Sequence, residues 1–218
     1  MVLFGSPGSG KGTQARILRD KLGWAHISTG DMLRERVASG DELGRKTAAI
    51  MQSGALVPDE IVNQMVEDRI EQPDAAKGFI LDGYPRTVAQ SQLLDCLLKA
   101  KRVQAMVIHL KVSYNEVIAR LSGRRICPAC GTLYNVSANS PQLTCDRDGS
   151  RLAVRDDDRE EVVLQRLKAY DSQTAPVVEY LKGAGYRVSE VQGGSRTPEA
   201  IAGEIENLIQ TEFGTAAA

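Results

Sequence analysis

Five short apolar runs punctuate the chain, at residues 1–4, 25–28, 79–82, 105–110 and 187–191. Their apolar character is near-continuous rather than alternating, the pattern of strands covered on both faces, as in a parallel sheet. Helix-like stretches lie between them, at residues 12–21, 59–71, 91–99, 113–120, 159–181 and 197–210. The second is opened by Pro58 and closed by Pro73, and the last carries Pro198 in its first turn. Pro176 is expected to kink or break the long 159–181 stretch, because proline lacks the N–H and clashes with the preceding turn. Strand–helix alternation of this kind predicts an α/β, doubly wound fold with a five-stranded parallel sheet flanked by helices. Two segments depart from it. Residues 28–57 are helical in character with no following strand. Residues 123–158 hold cysteines, turn residues and short β-like pieces but no long helix. Both read as lobes inserted into a core made of residues 1–27, 58–122 and 159–218. The Ala-rich tail at 214–218 is expected to fray.

Composition narrows the class. Hydrophobic residues at 42% and charged residues at 25% of 218 are an ordinary globular balance, enough for one core with small lobes. The formal net charge of -1 does not advertise nucleic acid or an anionic membrane as a partner. No apolar run approaches the ~20 residues needed to span a bilayer. The opening MVLFGSPG has neither a basic region nor a long apolar one, so a signal peptide is not expected and a cytoplasmic chain is. No exposed apolar helix or heptad demands a partner, which makes a monomer the expectation.

The strongest local pattern is Gly5-Ser6-Pro7-Gly8-Ser9-Gly10-Lys11-Gly12-Thr13, placed between the first strand and the first helix. Glycines there let backbone N–H groups of Gly8, Ser9, Gly10, Gly12 and Thr13 turn inward and, with the helix N-terminus, form an anion nest. Lys11 adds a point charge. The residue after Lys11 is Gly12, so the hydroxyl comes one place late, at Thr13.

The cysteines form a second pattern. Cys127 and Cys130 have knuckle spacing, Cys145 follows after fourteen residues, and Asp148 lies three beyond it. This frame suits a four-ligand, closed and therefore structural Zn²⁺ site. Iron suits the same ligands. A small lobe with little core gains most from such a clip. Cys96, alone in a helical stretch, is expected to be buried as a small apolar residue. His26 and His109, in strand-like runs, are expected to be packed or hydrogen-bonded core residues.

The phosphate loop, with residues 27–34 (ISTGDMLR), 81–87 (LDGYPRT), Gly123-Arg124-Arg125 and Arg155-Asp156-Asp157-Asp158, resembles the adenylate kinase family, in the family's order and over nearly the whole chain. The cysteine-bearing lobe resembles the long, bacterial, zinc-binding type of that family. The resemblance implies a P-loop nucleoside-monophosphate-kinase fold in which 28–57 binds AMP and 123–158 is a lid. It implies transfer of the terminal phosphoryl of MgATP to AMP, giving two ADP. Lys11, Arg86, Arg124, Arg155 and Arg166 would be catalytic, the four arginines with guanidinium forks that suit bidentate phosphate binding. Arg120, Arg124, Leu133, Tyr134 and, near the last base contact, Arg196 would meet ATP with the loop. Thr29, Arg34, Ala55, Leu56, Val57, Gly83, Tyr84, Pro85, Arg86, Gln90, Arg155 and Arg166 would line the AMP site. Asp82 and Asp31 would approach Mg²⁺ through water. The partners would be ATP, AMP and ADP alone.

Two other readings remain at this point. The same chemistry with UMP or CMP as acceptor is one, which a comparison of acceptors separates. An ATP-dependent nucleic-acid binder with a zinc ribbon is the other, which a salt-sensitive gel shift separates; near-neutral charge and few aromatic residues count against it.

Overall fold

The computed structural model describes residues 1–136 and 142–214. The Ala-rich tail beyond Gly214 lies outside the described residues. In chain order the elements are β1 (Val2–Phe4), α1 (Lys11–Leu22), β2 (Ala25–Ser28), α2 (Thr29–Ala38), α3 (Glu42–Ser53), α4 (Asp59–Ile70) and β3 (Phe79–Asp82). Then come α5 (Val88–Ala100), β4 (Met106–Lys111), α6 (Tyr114–Gly123), β5 (Arg124–Ile126), β6 (Leu133–Asn135), α7 (Glu160–Ala169), α8 (Pro176–Gly183), β7 (Arg187–Gln192) and α9 (Pro198–Phe213).

Five strands pair in the order β2-β3-β1-β4-β7, all parallel. Strand side chains alternate between faces. The continuous apolar runs therefore feed two cores. Val2, Phe4, Ile27, Leu81 and Val107 pack on one face, while Met1, Leu3, Ile80, Met106, Ile108 and Leu110 pack on the other. The edge strand β7 corrects the expectation of a strand covered on both faces at 187–191: only Val191 is buried, and the exposed Arg187 and Glu190 discourage pairing with another chain.

The chain runs from β1 to β2 and β3 on one side and to β4 and β7 on the other. The carboxyl end of β1 is thus a topological switch point, where open α/β sheets bind ligands. Caps aim helix N-termini at this edge. Ser28 Oγ accepts from Asp31 N at the start of α2, and Thr87 Oγ1 accepts from Gln90 N at the start of α5. At its other end α1 stops at Gly23, whose φ of 67° turns the chain into β2.

Pro176 breaks the 159–181 stretch as expected: α7 ends at Ala169 and the proline stands in the first turn of α8, where its missing N–H costs nothing. A π-helical turn, Tyr170–Thr174, joins α7 to α8, and the Ala175 N–H reaches back to Tyr170 O at 2.7 Å. Widening the turn just before the ring absorbs the hydrogen bond that proline cannot make. Cys96 corrects a second expectation: it is exposed. The buried stripe of α5 runs through Ser91, Leu94, Asp95 and Leu98, and Cys96 falls out of phase with it. The inward position goes to Asp95, held by Lys99 at 2.7 Å and by the Tyr186 hydroxyl at 2.8 Å. His109 packs edge-on to Phe4 and its Nε2 lies 3.3 Å from the Tyr170 hydroxyl. The His26 ring lies 3.4 Å from Asp82.

In 28–57 two helices, α2 and α3, pack on each other, and Gly54 (φ 78°) ends α3. In 123–158, β5 and β6 form an antiparallel pair, with further bridges Ile126–Ala153 and Thr144–Arg151.

Candidate active site

The loop between β1 and α1 opens into a cleft of about 430 Å³. Its conformation demands glycine at two points. At Gly5 (φ 149°) a Cβ would sit 2.7 Å from Leu110 O, and at Gly8 (φ 80°) one would strike Leu121 at 2.8 Å. Gly10 (φ 99°) caps α1, so the loop's amides and the helix N-terminus share one concavity. Lys11 Nζ donates to Gly5 O at 2.7 Å and Ser6 O at 2.8 Å. Burial pushes its pKa down to about 7; the nearby Asp82 carboxylate opposes this, and Arg86, Arg166 and Arg124 add to it. A bound polyphosphate favours the charged ammonium and raises that pKa. Polyphosphate binding at pH 8 is therefore expected to take up protons, up to one per site. Calorimetry in buffers of different ionisation enthalpy should show this uptake in the wild type and lose it in Lys11→Met.

Six guanidinium groups surround the loop. Arg120 donates to Ser9 O at 3.2 Å and to the carbonyls of Gly193 (2.7 Å) and Gly194, fixing it between the loop and the chain after β7. Arg86 Nε donates to Gly83 O at 2.8 Å, and burial and Arg166 lower its pKa to about 10. Arg34 pairs with Asp31 at 2.5 Å. Arg124 Nε donates to Asp158 Oδ2 at 2.6 Å. Arg166 reaches Asp157 at 3.0 Å and Asp158 at 3.3 Å. Arg155 Nε is buried with no hydrogen-bond partner among the described residues. Burial raises the pKa of Asp157, but Arg166, Arg34, Arg124 and Arg155 more than reverse this and leave the carboxyl below its ordinary range. In the same way burial raises Asp82, and the hydrogen bond from His26 with the charge on Lys11 brings it below. The cations outnumber the carboxylates, so the cleft attracts anions of high charge.

A second, smaller pocket adjoins the first and shares Arg34, Arg86 and Arg166 with it. Thr29, Ala55, Leu56, Val57, Gly83 and Gln90 line it. Thr29 Oγ1 donates to Gly83 O at 2.8 Å. Gln90 is held on both ends of its amide: Oε1 accepts from Arg86 N at 2.7 Å, and Nε2 donates to Asp59 Oδ1 at 2.7 Å. Gly8, Ser9, Gly10, Gly12, Thr13, Asp31, Asp82, Tyr84, Pro85, Arg120, Arg124, Leu133, Tyr134, Arg155 and Arg196 all line the larger cleft. Arg196 stands at its rim, donating to Gln192 O at 3.2 Å and Ala200 O at 3.1 Å and paired with Glu204.

The sequence assigns no role to Asp59, and it marks Asp157 and Asp158 only as members of the Arg155–Asp158 run. In the fold Asp158 is buried and pairs with Arg124 and Arg166. Asp59 meets Gln90 across 31 residues of chain, and no local pattern signals that contact.

At the far end of the hairpin, one ligand atom from each of Cys127, Cys130, Cys145 and Asp148 lies within 4.8 Å of the others. Backbone amides turn toward them: Cys130 N to Cys127 Sγ at 3.4 Å, Arg147 N to Cys145 Sγ at 3.4 Å and Ser150 N to Asp148 Oδ1 at 2.9 Å. Three thiols and one carboxylate, unpaired as disulfides and gathered by such turns, fit a tetrahedral divalent metal.

The model of the family described as "Adenylate kinase" matches residues 3–186. A protein named adenylate kinase from Anaeromyxobacter sp. (strain Fw109-5) is 49% identical over 212 residues, 96% of this chain and 98% of that one. One of the same name from Pseudothermotoga lettingae is 51% identical over 192 residues, 87% and 88% of the two chains. Another from Thermosipho melanesiensis is 46% identical over 216 residues, 96% and 99%. With a phosphate loop at the switch point, two pockets joined through arginines, and likeness along nearly its full length, this chain belongs to the adenylate kinase family and catalyses ATP:AMP phosphotransfer.

Proposed function

We propose that ATP lies with its triphosphate on the 5–13 loop and AMP fills the smaller pocket, so that the phosphoryl group crosses directly at the arginines common to both. The observation that carries this reading is the shared wall: Arg34, Arg86 and Arg166 border both pockets. Phosphoryl transfer needs positioning and charge neutralisation more than covalent chemistry. Lys11 follows the transferring group. Arg120 and Arg124 hold the donor phosphates, Arg34 and Arg86 the acceptor phosphate, and Arg155 and Arg166 close over the group in transit. No general base is required, since the accepting phosphate oxygen is already largely ionised at neutral pH. Thr29, Gln90 and the backbone of residues 55–57 read the acceptor adenine, with Asp59 fixing which end of the Gln90 amide is offered. Leu133 and Tyr134 lie along the donor base, with a last contact near Arg196.

Adenylate kinases use Mg²⁺ with ATP; the ion neutralises phosphate charge and orients the chain of phosphates. Asp82 suits it through water, because the carboxylate lies in the cleft 3.2 Å from a Cβ position on Gly12. Asp31 is already engaged by Arg34 at 2.5 Å and serves better to orient that arginine.

Residues 28–57 and 123–158 act as covers over the core of 1–27, 58–122 and 159–218, excluding water that would otherwise accept the phosphoryl group. Zn²⁺ on Cys127, Cys130, Cys145 and Asp148 clips the second cover. Cys130→Ser is expected to lose the metal and, for metal present at roughly a hundred times its Kd, to cost the fold about 3 kcal/mol. Metal analysis with thermal melting checks this, and unchanged metal content and melting refute the assignment. The protein acts as a cytoplasmic monomer on free nucleotides; among the described residues no helix is long and apolar enough to cross a membrane.

The test is ADP formation from ATP with AMP, UMP or CMP, with and without Mg²⁺. AMP should be strongly preferred and Mg²⁺ required. Release of inorganic phosphate in place of ADP, or equal use of UMP, would overturn the reading.

A further inference from the structure

Tyr134 is placed where two sites meet. Its phenol donates to Cys145 Sγ at 3.2 Å and accepts from Asp146 N at 3.0 Å, so it braces one of the four metal-ligand side chains and the turn after it. The same residue lines the central cleft beside Leu133 and Arg124. The link is stiff. Tyr134 stands opposite Arg125 in the β5–β6 pair, one register step from Arg124–Asn135. The hairpin is tied at its root by Val136 N to Gly123 O at 2.7 Å, and a Cβ on Gly123 would lie 2.5 Å from Asn135 Oδ1.

We propose that Tyr134 is a positioning residue that couples the metal cluster to donor-nucleotide binding. With the thiolate of Cys145 fixed on a metal, the phenol has a charged acceptor at a set place, and the face of β6 that meets the donor is held in one geometry. A hydrogen bond to a charged acceptor is stronger than one to a neutral thiol. Loosening the cluster therefore frees the tyrosine and costs donor affinity. Linkage makes the effect reciprocal: a donor nucleotide that needs Tyr134 in place must also tighten the metal by the same factor. AMP, which binds away from β6, should do neither. The inference rests on the reading of the larger cleft as the donor site.

The test uses the zinc-loaded full chain and a non-hydrolysable ATP analogue, with analogue binding measured first by calorimetry. Zinc affinity is then measured by equilibrium competition with a chelator, with and without saturating analogue, in wild type and Tyr134→Phe. The wild type should hold zinc about fivefold more tightly, or better, with the analogue, the low end of ordinary coupling. AMP should have no effect, and in Tyr134→Phe the ratio should fall to one. A purely structural tyrosine would change the absolute affinity but leave the ratio intact, which would overturn the proposal. So would a wild-type ratio of one. An analogue that fails to bind sinks the donor-site reading itself, and one that binds without tightening zinc sinks only the coupling. If Tyr134→Phe retains no metal, the cobalt-loaded wild type decides. Its thiolate-to-cobalt absorption should shift with the analogue and not with AMP, and an unshifted band refutes the coupling.

Discussion

Lys11→Ala should lower the rate of ADP formation by about 10²–10³-fold, the usual loss when one stabiliser of transition-state charge is removed. It should leave the fold intact, because the ammonium packs against loop carbonyls rather than holding elements together. The pH dependence of its stability has a definite sign. The folded pKa is about 7, below the ordinary 10.5, so folding favours the neutral amine. The unfolded chain then binds the extra proton between those two values, and the wild type gains stability as pH rises through that window. The penalty is greatest below pH 7. Lys11→Ala should thus melt at or above the wild type at pH 6, with the advantage shrinking toward pH 10. Full activity in the variant would remove the loop from the chemistry. A melting temperature far below the wild type at pH 6 would contradict the electrostatic account of Lys11.

Asp158→Asn should have the opposite profile, a large cost in stability. The carboxylate is shut off from solvent and pairs with Arg124 and Arg166, which are themselves 18% and 17% exposed. A neutral amide leaves those guanidinium groups without a full counter-charge, and breaking a buried pair from one side costs about 3–5 kcal/mol. Phosphates supply the missing negative charge. The ATP analogue with AMP should therefore raise the melting temperature of Asp158→Asn more than that of the wild type. Equal shifts would show that the aspartate and the phosphates do not share these arginines.

The layer structure was legible because strands buried on both faces are apolar along their buried length, and a run such as residues 79–81 leaves few alternatives. The phosphate loop was legible because close backbone turns admit only glycine at Gly5 and Gly8. The four metal-ligand candidates announced themselves by spacing, since two tight turns must each bring a pair of side chains to one point. What stayed hidden depends on partners distant in sequence. Nothing around Asp59 shows that it orients Gln90, and nothing in the Asp156–Asp158 triplet tells Asp156, paired at the surface with Arg159, from the two that meet the cleft arginines. Cys96 is exposed because a buried aspartate takes the inward position on α5, made possible by Lys99 and by Tyr186 from beyond α8, partners that no local pattern shows. The π turn before Pro176 was hidden for a similar reason. It is sustained by Tyr170 reaching His109 on β4 and by Thr174 donating to Arg86 O at 2.9 Å, contacts with residues far off in sequence.

A crystal structure with a non-hydrolysable ATP analogue, Mg²⁺ and AMP bears most directly on the claim that both nucleotides meet at a common ring of positive charge. The account predicts the terminal phosphate of the donor within hydrogen-bond reach of Lys11 Nζ, the AMP phosphate on Arg34 and Arg86, and Arg155 and Arg166 between them. Phosphates lying beyond reach of Lys11, or two nucleotides separated by an intervening wall of protein, would contradict it.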